Sequence, residues 1–170
     1  MKIFRIILVT LISTQSFAQV LNQKTMDEKK HREILIGYCN REGFSSCSFD
    51  SAYQANYGLY APDTSALRML TRGMNDIVIK LVMGTWCGDS KEQVPHFYKI
   101  LDLLKFDYGK LSLICVDRTK AAPGIDLAPL SINLVPTFIF YRNDREIGRI
   151  IETPTISLEK DMLRIIDKTE

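Results

Sequence analysis

The sequence has almost no surplus of charge and little histidine, and both shortages exclude functions. Its 170 residues carry 22 Lys and Arg against 20 Asp and Glu, and only 2 His. Nucleic-acid binding by phosphate neutralisation needs a basic surplus or stripe, so nucleic acid is not an expected partner. His31 and His96 are too isolated for a metal site or a Cys-His nucleophile pair, and we expect both on solvated helix faces. No phosphate-cradling glycine loop or dinucleotide motif is present, so no cofactor is predicted.

Hydrophobic runs long enough to cross a membrane are also missing. The apolar run from Ile6 to Ile12 is far shorter than the ~20 residues that a spanning helix needs. It follows two basic residues and precedes the small residues Ser16 and Ala18, which is typical of a cleavable secretory signal over residues 1–18. We therefore expect an exported protein, periplasmic or extracellular, with no membrane span in its mature chain. The rest of the chain has the length of one domain.

The N-terminal part of the mature chain is predicted to be a mainly helical extension over residues 19–75. Apolar positions among charges favour an amphipathic helix from Thr25 to about Glu42. "SSCSFDSAYQANYGLYAPD" indicates a short helix and a loop. "DTSALRML" predicts another helix, with three candidates for its N-cap: Asp63, Thr64 and Ser65.

The pattern changes at residue 76. "IVIKLVM" (77–83) and "LSLICVD" (111–117) are apolar runs of strand length, and helical periodicity occupies residues 89–105 between them. This strand, helix, strand order makes the two strands parallel. "PTFIFYR" and "EIGRIIE" flank "NDR" and predict an antiparallel hairpin, and a last helix follows over residues 157–167. The order predicts a small α/β sandwich.

Three motifs in this region resemble the thioredoxin superfamily over about residues 75–168. "WCGDS" follows a strand and opens a helix, Pro95 lies eight residues after Cys87, and "LVPTFIF" is similar to the family's cis-proline strand. The resemblance is to secreted bacterial thioredoxin-like thiol-disulfide oxidoreductases. It implies a thioredoxin-like three-layer α/β/α sandwich, with the thioredoxin-like domain at 76–170 and a cis bond between Val135 and Pro136.

The sequence departs from that family at two positions of the reactive region. Ser90 stands where the second active-site cysteine is expected, which gives a CxxS (monothiol) turn, and Leu81 replaces a buried acidic residue. Without a second thiol, a mixed disulfide at Cys87 should persist until another thiol releases it.

Cys87 is the predicted catalytic residue. A cysteine at a helix start has a lowered pKa because unpaired N–H groups and the helix dipole favour an anion. Ser90 is expected to donate a hydrogen bond to the thiolate. The charge of Asp89 suits the helix start but repels a thiolate at Cys87. The resemblance implies that an extended substrate pairs with the cis-proline loop. The predicted substrate-binding residues are Trp86, Gly88, Asp89, Val135, Pro136 and Thr137.

The other three cysteines allow two interpretations. Cys39 and Cys47 could close a structural disulfide in an oxidising compartment, or one of them could resolve an adduct on Cys87. Cys115 lies within a predicted strand and is expected to be buried and inert.

Two functions remain open from the sequence. The first is thiol-disulfide exchange, by reduction, isomerisation or capture, with protein or low-molecular-weight thiols and disulfides as partners. The alternative is a redox-inactive module that binds extended peptides beside the cis-proline loop.

Overall fold

The computed structural model describes residues 20–167, so the predicted secretory signal lies outside the described residues. A six-stranded sheet has the spatial order β1-β2-β4-β3-β5-β6. The strands are β1 (Gln23–Asp27), β2 (Arg32–Cys39), β3 (Ile77–Met83), β4 (Leu111–Cys115), β5 (Thr137–Arg142) and β6 (Arg145–Ile151). The α-helices are α1 (Asp50–Leu59), α2 (Thr64–Gly73), α3 (Gly88–Leu103) and α4 (Leu158–Asp167).

The strands and helices after residue 76 form as the sequence predicts. β3 and β4 are parallel, with Leu81 opposite Leu113, and α3 connects them. β5 and β6 form an antiparallel hairpin, and β5 also pairs antiparallel with β3. The parallel pair at the centre of the sheet places the end of β3 and the start of α3 at one edge, where the candidate site lies.

The predicted helix from Thr25 to Glu42 is wrong, because this segment forms the hairpin of β1 and β2. Ile34, Leu35 and Ile36 are all buried, as in a strand covered on both faces. Gly37 has a φ of +82°, which a continuous α-helix does not allow. The charged residues between the two strands form the hairpin turn. β2 also pairs with β4 and so joins the hairpin to the rest of the sheet.

The two later helices of the N-terminal region agree with the sequence. α1 occupies the segment where a short helix is predicted. The Asp63 carboxylate accepts hydrogen bonds from the N–H groups of Ser65 and Ala66, so Asp63 is the N-cap of α2. The expected domain boundary falls between α2 and β3, yet residues from both sides of it share one core.

The sheet has differently covered faces. All four α-helices contribute to the larger core, which includes the side chains of Ile77, Ile79, Leu81 and Met83 on alternate positions of β3. The smaller core on the opposite face is formed by seven residues: Ile36, Val82, Ile114, Val116, Ala122, Leu127 and Val135. Residues 116–135 cover that face, and a 3-10 turn over Ala128–Leu130 is their helical element. Within residues 20–167, no helix is both long and apolar enough to span a bilayer.

Candidate functional site

The reactive turn connects the buried end of β3 to the first turn of α3. Cys87 is the N-cap of α3, with an extended backbone (φ −83°, ψ 137°), and its N–H donates to the Gly84 carbonyl at 2.9 Å. The Trp86 indole lies against Gly84, where a Cβ atom would be 2.5 Å from the ring. Glycine is therefore required at position 84 for the turn to close and the indole to lie across it.

The Cys87 thiol contacts the cis-proline loop. Its side chain is half-buried, and Sγ donates to the Val135 carbonyl oxygen at 3.1 Å. The Val135–Pro136 peptide bond is cis. The tertiary structure thus brings together two motifs that are 48 residues apart, as the sequence resemblance implies. Gly88 is exposed and Asp89 half-buried in the first turn of α3, so both lie beside the thiol.

Ser90 does not make the hydrogen bond expected of it. Its side chain is fully buried, and Oγ accepts from the Gly84 N–H at 3.4 Å, so the hydroxyl ties the helix start to the turn. The Cys87 Sγ atom donates to Val135 instead. Ser90 therefore stabilises the turn. It is the third residue of the helix, and its side chain faces the core.

Thr137 stabilises the loop from within. Its side chain is 2% exposed, and its hydroxyl donates to the Leu134 carbonyl at 2.7 Å. Thr137, a predicted substrate-binding residue, thus has its side chain inside the loop, and its hydroxyl is occupied by Leu134. Among the described residues the Val135 N–H has no hydrogen-bond acceptor, and Leu134 is 44% exposed. Val135 itself is 3% exposed, so the accessible part of the loop lies at Leu134.

Trp86 takes part in a polar assembly that the sequence does not reveal. Its Nε1–H donates to the Val116 carbonyl at 2.8 Å, and the Arg118 guanidinium carbon lies 4.7 Å from its ring centroid. Asp27, at the end of β1, accepts two hydrogen bonds from Arg118, at 2.9 Å from Nε and 2.8 Å from Nη2. The hydrogen bonds with Asp27 raise the pKa of Arg118. Sequence reasoning missed Asp27 and Arg118 because it placed β1 in a helix.

The N-terminal hairpin also supports the reactive turn directly. Thr85 is 2% exposed, and its hydroxyl accepts from the Leu35 N–H at 3.2 Å. The hairpin therefore contacts both the turn that carries Cys87 and the arginine beside Trp86. It is part of the site's framework.

All four cysteines are free thiols, so the Cys39–Cys47 disulfide considered from the sequence is not formed. Cys39 Sγ instead donates to the Gly37 carbonyl at 3.5 Å, and Cys39 and Cys115 of the neighbouring strand β4 are both buried in the larger core. Cys47 is half-buried at the end of a 3-10 turn and packs against that same core. The interaction with Cys39, together with burial, raises the pKa of Cys115 well above its usual value.

The histidines lie elsewhere than expected. His31 is exposed in the β1–β2 turn, with a φ of +48°, and not on a helix. His96 is half-buried on α3 and stacks on Tyr60 with 4.0 Å between ring centroids, and burial lowers its pKa. From residue 20 to residue 167, no three His, Cys, Asp or Glu side chains are grouped so that they could hold a metal ion.

Comparison with known proteins agrees with this geometry. No protein-family profile matches the chain. It is 31% identical over 77 residues to mitochondrial thioredoxin O of Oryza sativa subsp. japonica, and 28% identical over 91 residues to thioredoxin H9 of Arabidopsis thaliana. These matches cover 45% and 54% of this chain, and 42% and 61% of the two thioredoxins.

A solved structure shows the same arrangement of helices and strands. A protein of unknown function from Pseudomonas aeruginosa superimposes with a TM-score of 0.56 at 14% identity, over 72% of this chain and 86% of that one. This likeness concerns the fold alone. The predicted thioredoxin-like α/β fold is confirmed: the sheet is flanked by the four α-helices on one face and by residues 116–135, with their 3-10 turn, on the other.

Proposed function

We propose that this thioredoxin-like chain is an exported protein that carries out thiol-disulfide exchange through a single reactive cysteine, Cys87. The observation that most supports exchange at Cys87 is the 3.1 Å contact between Cys87 Sγ and the Val135 carbonyl oxygen. This contact places a half-buried thiol at the N-terminus of a 16-residue helix and beside an open loop. The names of the two similar plant thioredoxins agree with redox chemistry of this type.

The chemical step is attack by the Cys87 thiolate on one sulfur of a substrate disulfide. A new bond joins Cys87 to that sulfur, the substrate's S–S bond breaks, and the other half leaves as a thiolate that takes up a proton. The Cys87 thiolate supplies the electron pair of the new S–S bond, and the pair of the broken S–S bond departs with the leaving thiolate, so no cofactor is required.

The loop before β5 provides the docking edge for an extended substrate. Leu134, which is 44% exposed, is the accessible residue of this loop, and we propose that a peptide strand pairs with the main chain there. A main-chain pairing of this kind orients a cystine sulfur toward Cys87 and places few demands on the substrate's side chains. We therefore propose a protein or peptide disulfide as one substrate.

The mixed disulfide on Cys87 is released by a thiol from outside the chain. Ser90 offers no sulfur, and Cys39, Cys47 and Cys115 all pack with the core on the helical side of the sheet. Cys87 packs with the core of the opposite side. Cys39 and Cys115 are buried on the far side of the sheet from Cys87, and we propose that the resolving thiol comes from another molecule.

Export is proposed from residues 1–18 alone. Edman sequencing of the protein purified from the periplasmic fraction or the medium should begin near Gln19. A protein that is found in the cytoplasm and retains its initiator Met contradicts export, and it leaves the chemistry of Cys87 unaffected.

The chemistry is tested by intact mass spectrometry after incubation with an excess of a disulfide. The wild type should gain one adduct that persists until a thiol is added. Cys87→Ser should gain none, whereas Cys47→Ser, which removes the other half-buried thiol, should behave as the wild type does. Equal adduct formation by Cys87→Ser and the wild type contradicts the proposal.

The alternative is a redox-inactive module that binds extended peptides beside the same loop. It is favoured by Ser90 and by Leu81, which is fully buried in the core where an acidic residue would assist proton transfer. The two functions differ in the reactivity of Cys87. Slow alkylation of Cys87 at neutral pH, at the rate of an ordinary free thiol, together with saturable peptide binding, supports the alternative.

A further inference from the structure

Arg118 has hydrogen-bonding capacity that the protein itself does not use. A guanidinium group carries five N–H donors, and Asp27 accepts from Nε and Nη2. Among the described residues no acceptor lies within hydrogen-bond distance of Nη1, and the side chain is 31% exposed. The two bonds to Asp27 and the stacking on Trp86 fix the plane of the group. Arg118 therefore presents a rigid, partly solvated pair of donors.

This donor group lies beside the reactive sulfur. Trp86, which the guanidinium covers, is the residue immediately before Cys87. After the hydrogen bonds and charge of Asp27, the charge of an ionised Cys87 also raises the pKa of Arg118, so the two groups interact electrostatically. A ligand that extends from Cys87 across Trp86 therefore reaches Arg118.

Charged groups of both signs surround Arg118. Lys91 lies one turn into α3 from Cys87, and burial followed by the positive charge of Arg32 lowers its pKa. Asp27, Glu28 and Asp117 line one groove with Arg118. The Asp27 carboxylate is occupied by Arg118, and the Asp117 carboxylate accepts from the N–H groups of Thr119 and Ala121. Nη1 of Arg118 is therefore the donor left for an added anion.

We propose that Arg118 is an anion-recognition residue beside Cys87, and that the preferred substrates are disulfides carrying a carboxylate near the sulfur that is attacked. Glutathione-like peptide disulfides are the simplest members of this class. The carboxylate accepts from Nη1 of Arg118 while the Cys87 thiolate attacks, and the leaving half departs as a protonated thiol. This inference rests on the proposed function, because it requires exchange at Cys87.

The experiment compares three disulfides of different charge as probes: oxidised glutathione (anionic), bis(2-hydroxyethyl) disulfide (neutral) and cystamine (cationic). Rates of Cys87 adduct formation are measured by quenching and intact mass spectrometry, with excess probe and no added thiol. The readout is the ratio of the anionic to the neutral rate. This ratio should fall about tenfold in Arg118→Gln, which corresponds to about 1.4 kcal/mol, because the variant loses a charge-assisted hydrogen bond to the carboxylate.

Three controls separate recognition from folding. Arg118→Lys keeps the charge and should retain an intermediate ratio, and Arg68→Gln removes an exposed arginine of α2 and should leave the ratio unchanged. The wild-type ratio of the anionic to the neutral rate should also fall in about 1 M salt, toward the ratio of the cationic to the neutral rate, because the Debye length is then about 3 Å. This measurement needs no variant.

Each outcome decides between the two proposals. An unchanged ratio in Arg118→Gln, or an equal loss of rate for all three probes, overturns anion recognition while exchange at Cys87 stands. A wild-type ratio that does not respond to salt also overturns it. The absence of an adduct with every probe overturns the proposed function, and anion recognition with it.

Discussion

The two faces of the sheet differ in what covers them and in the sulfur that each one holds. Four α-helices pack on one face, around a core that includes the free thiols of Cys39 and Cys115. The other face is covered by residues 116–135 and holds the smaller core, against which Trp86 and Cys87 pack. The helical face holds most of the buried apolar residues, and the loop-covered face holds the candidate functional site.

The comparison shows that a cysteine's role is decided by its surroundings. Cys115 is fully buried, its pKa is raised by Cys39 and by burial, and a substrate has no access to it. Cys87 is half-buried at a helix N-terminus, with a carbonyl and a guanidinium group nearby. The polar loops of the second face give access, because they cover the sheet incompletely.

The largest expected difference is in thiol reactivity. Alkylation of native protein at neutral pH should modify Cys87 first, and Cys115 should react on the order of 10⁴-fold more slowly, since it reacts only when the core opens. Peptide mapping after timed quenching measures both rates. Similar rates at the two sulfurs would remove the distinction between the faces.

Truncation of a core side chain should lower the free energy of unfolding more on the helical face than on the loop-covered face. Phe97, which is fully buried on α3 and packs on Phe138 with 4.6 Å between ring centroids, represents the helical face. Phe97→Ala should lower the free energy of unfolding by ~4 kcal/mol, and Leu127→Ala on the loop-covered face by ~2 kcal/mol. Urea denaturation measures both changes. A larger loss for Leu127→Ala would mean that residues 116–135 stabilise the fold more than the helices do.

A second thiol at position 90 should change the lifetime of the adduct on Cys87 and leave the helical face unaffected. In Ser90→Cys the new sulfur lies three residues after Cys87, and it should attack the mixed disulfide within the chain. The adduct lifetime without added thiol should then fall about a hundredfold, because the resolving thiol acts at a high effective concentration. Cys115→Ala serves as the matched control and should leave the lifetime unchanged. An adduct on Ser90→Cys as long-lived as that on the wild type would show that position 90 cannot resolve it.

The smallest expected effect is the change in the stability of the helical face at acid pH. Burial opposes ionisation of Glu159, but hydrogen bonds from the Asp63 N–H (2.9 Å) and the Tyr60 hydroxyl (2.7 Å) outweigh it and lower its pKa. The folded state thus favours the carboxylate, whose contribution is complete above the unfolded pKa and is lost as the pH falls through the lower folded value. Glu159→Gln should cost ~1.5 kcal/mol at pH 7 and less at pH 3.

Urea denaturation at several pH values measures this effect. Asp27→Asn is the matched variant on the other side of the molecule, because the Asp27 carboxylate is also buried and the hydrogen bonds from Arg118 lower its pKa. A cost of Glu159→Gln that does not change between pH 7 and pH 3 would contradict the sign derived for Glu159.

The chain after residue 76 could be predicted from sequence because its signals are local. The apolar run of β3, the periodicity of α3 and the turn between β5 and β6 each specify one element within a few residues. The N-terminal hairpin could not be predicted in the same way. Its charged turn, "EKKH", imitates a helix face, and the strand β2 is stabilised by pairing with β4, about 75 residues away.

The sequence by itself determined which sulfur lies at a helix start, that position 90 offers no second thiol, and where the proline loop lies. Only the tertiary structure decided that Ser90 turns into the core, that Cys39 meets Cys115, and that Asp27 holds Arg118 over Trp86. The physical reason is the range of the interactions. Helix starts and turns are fixed by neighbours along the chain, whereas these contacts depend on how strands distant in sequence are paired in the sheet.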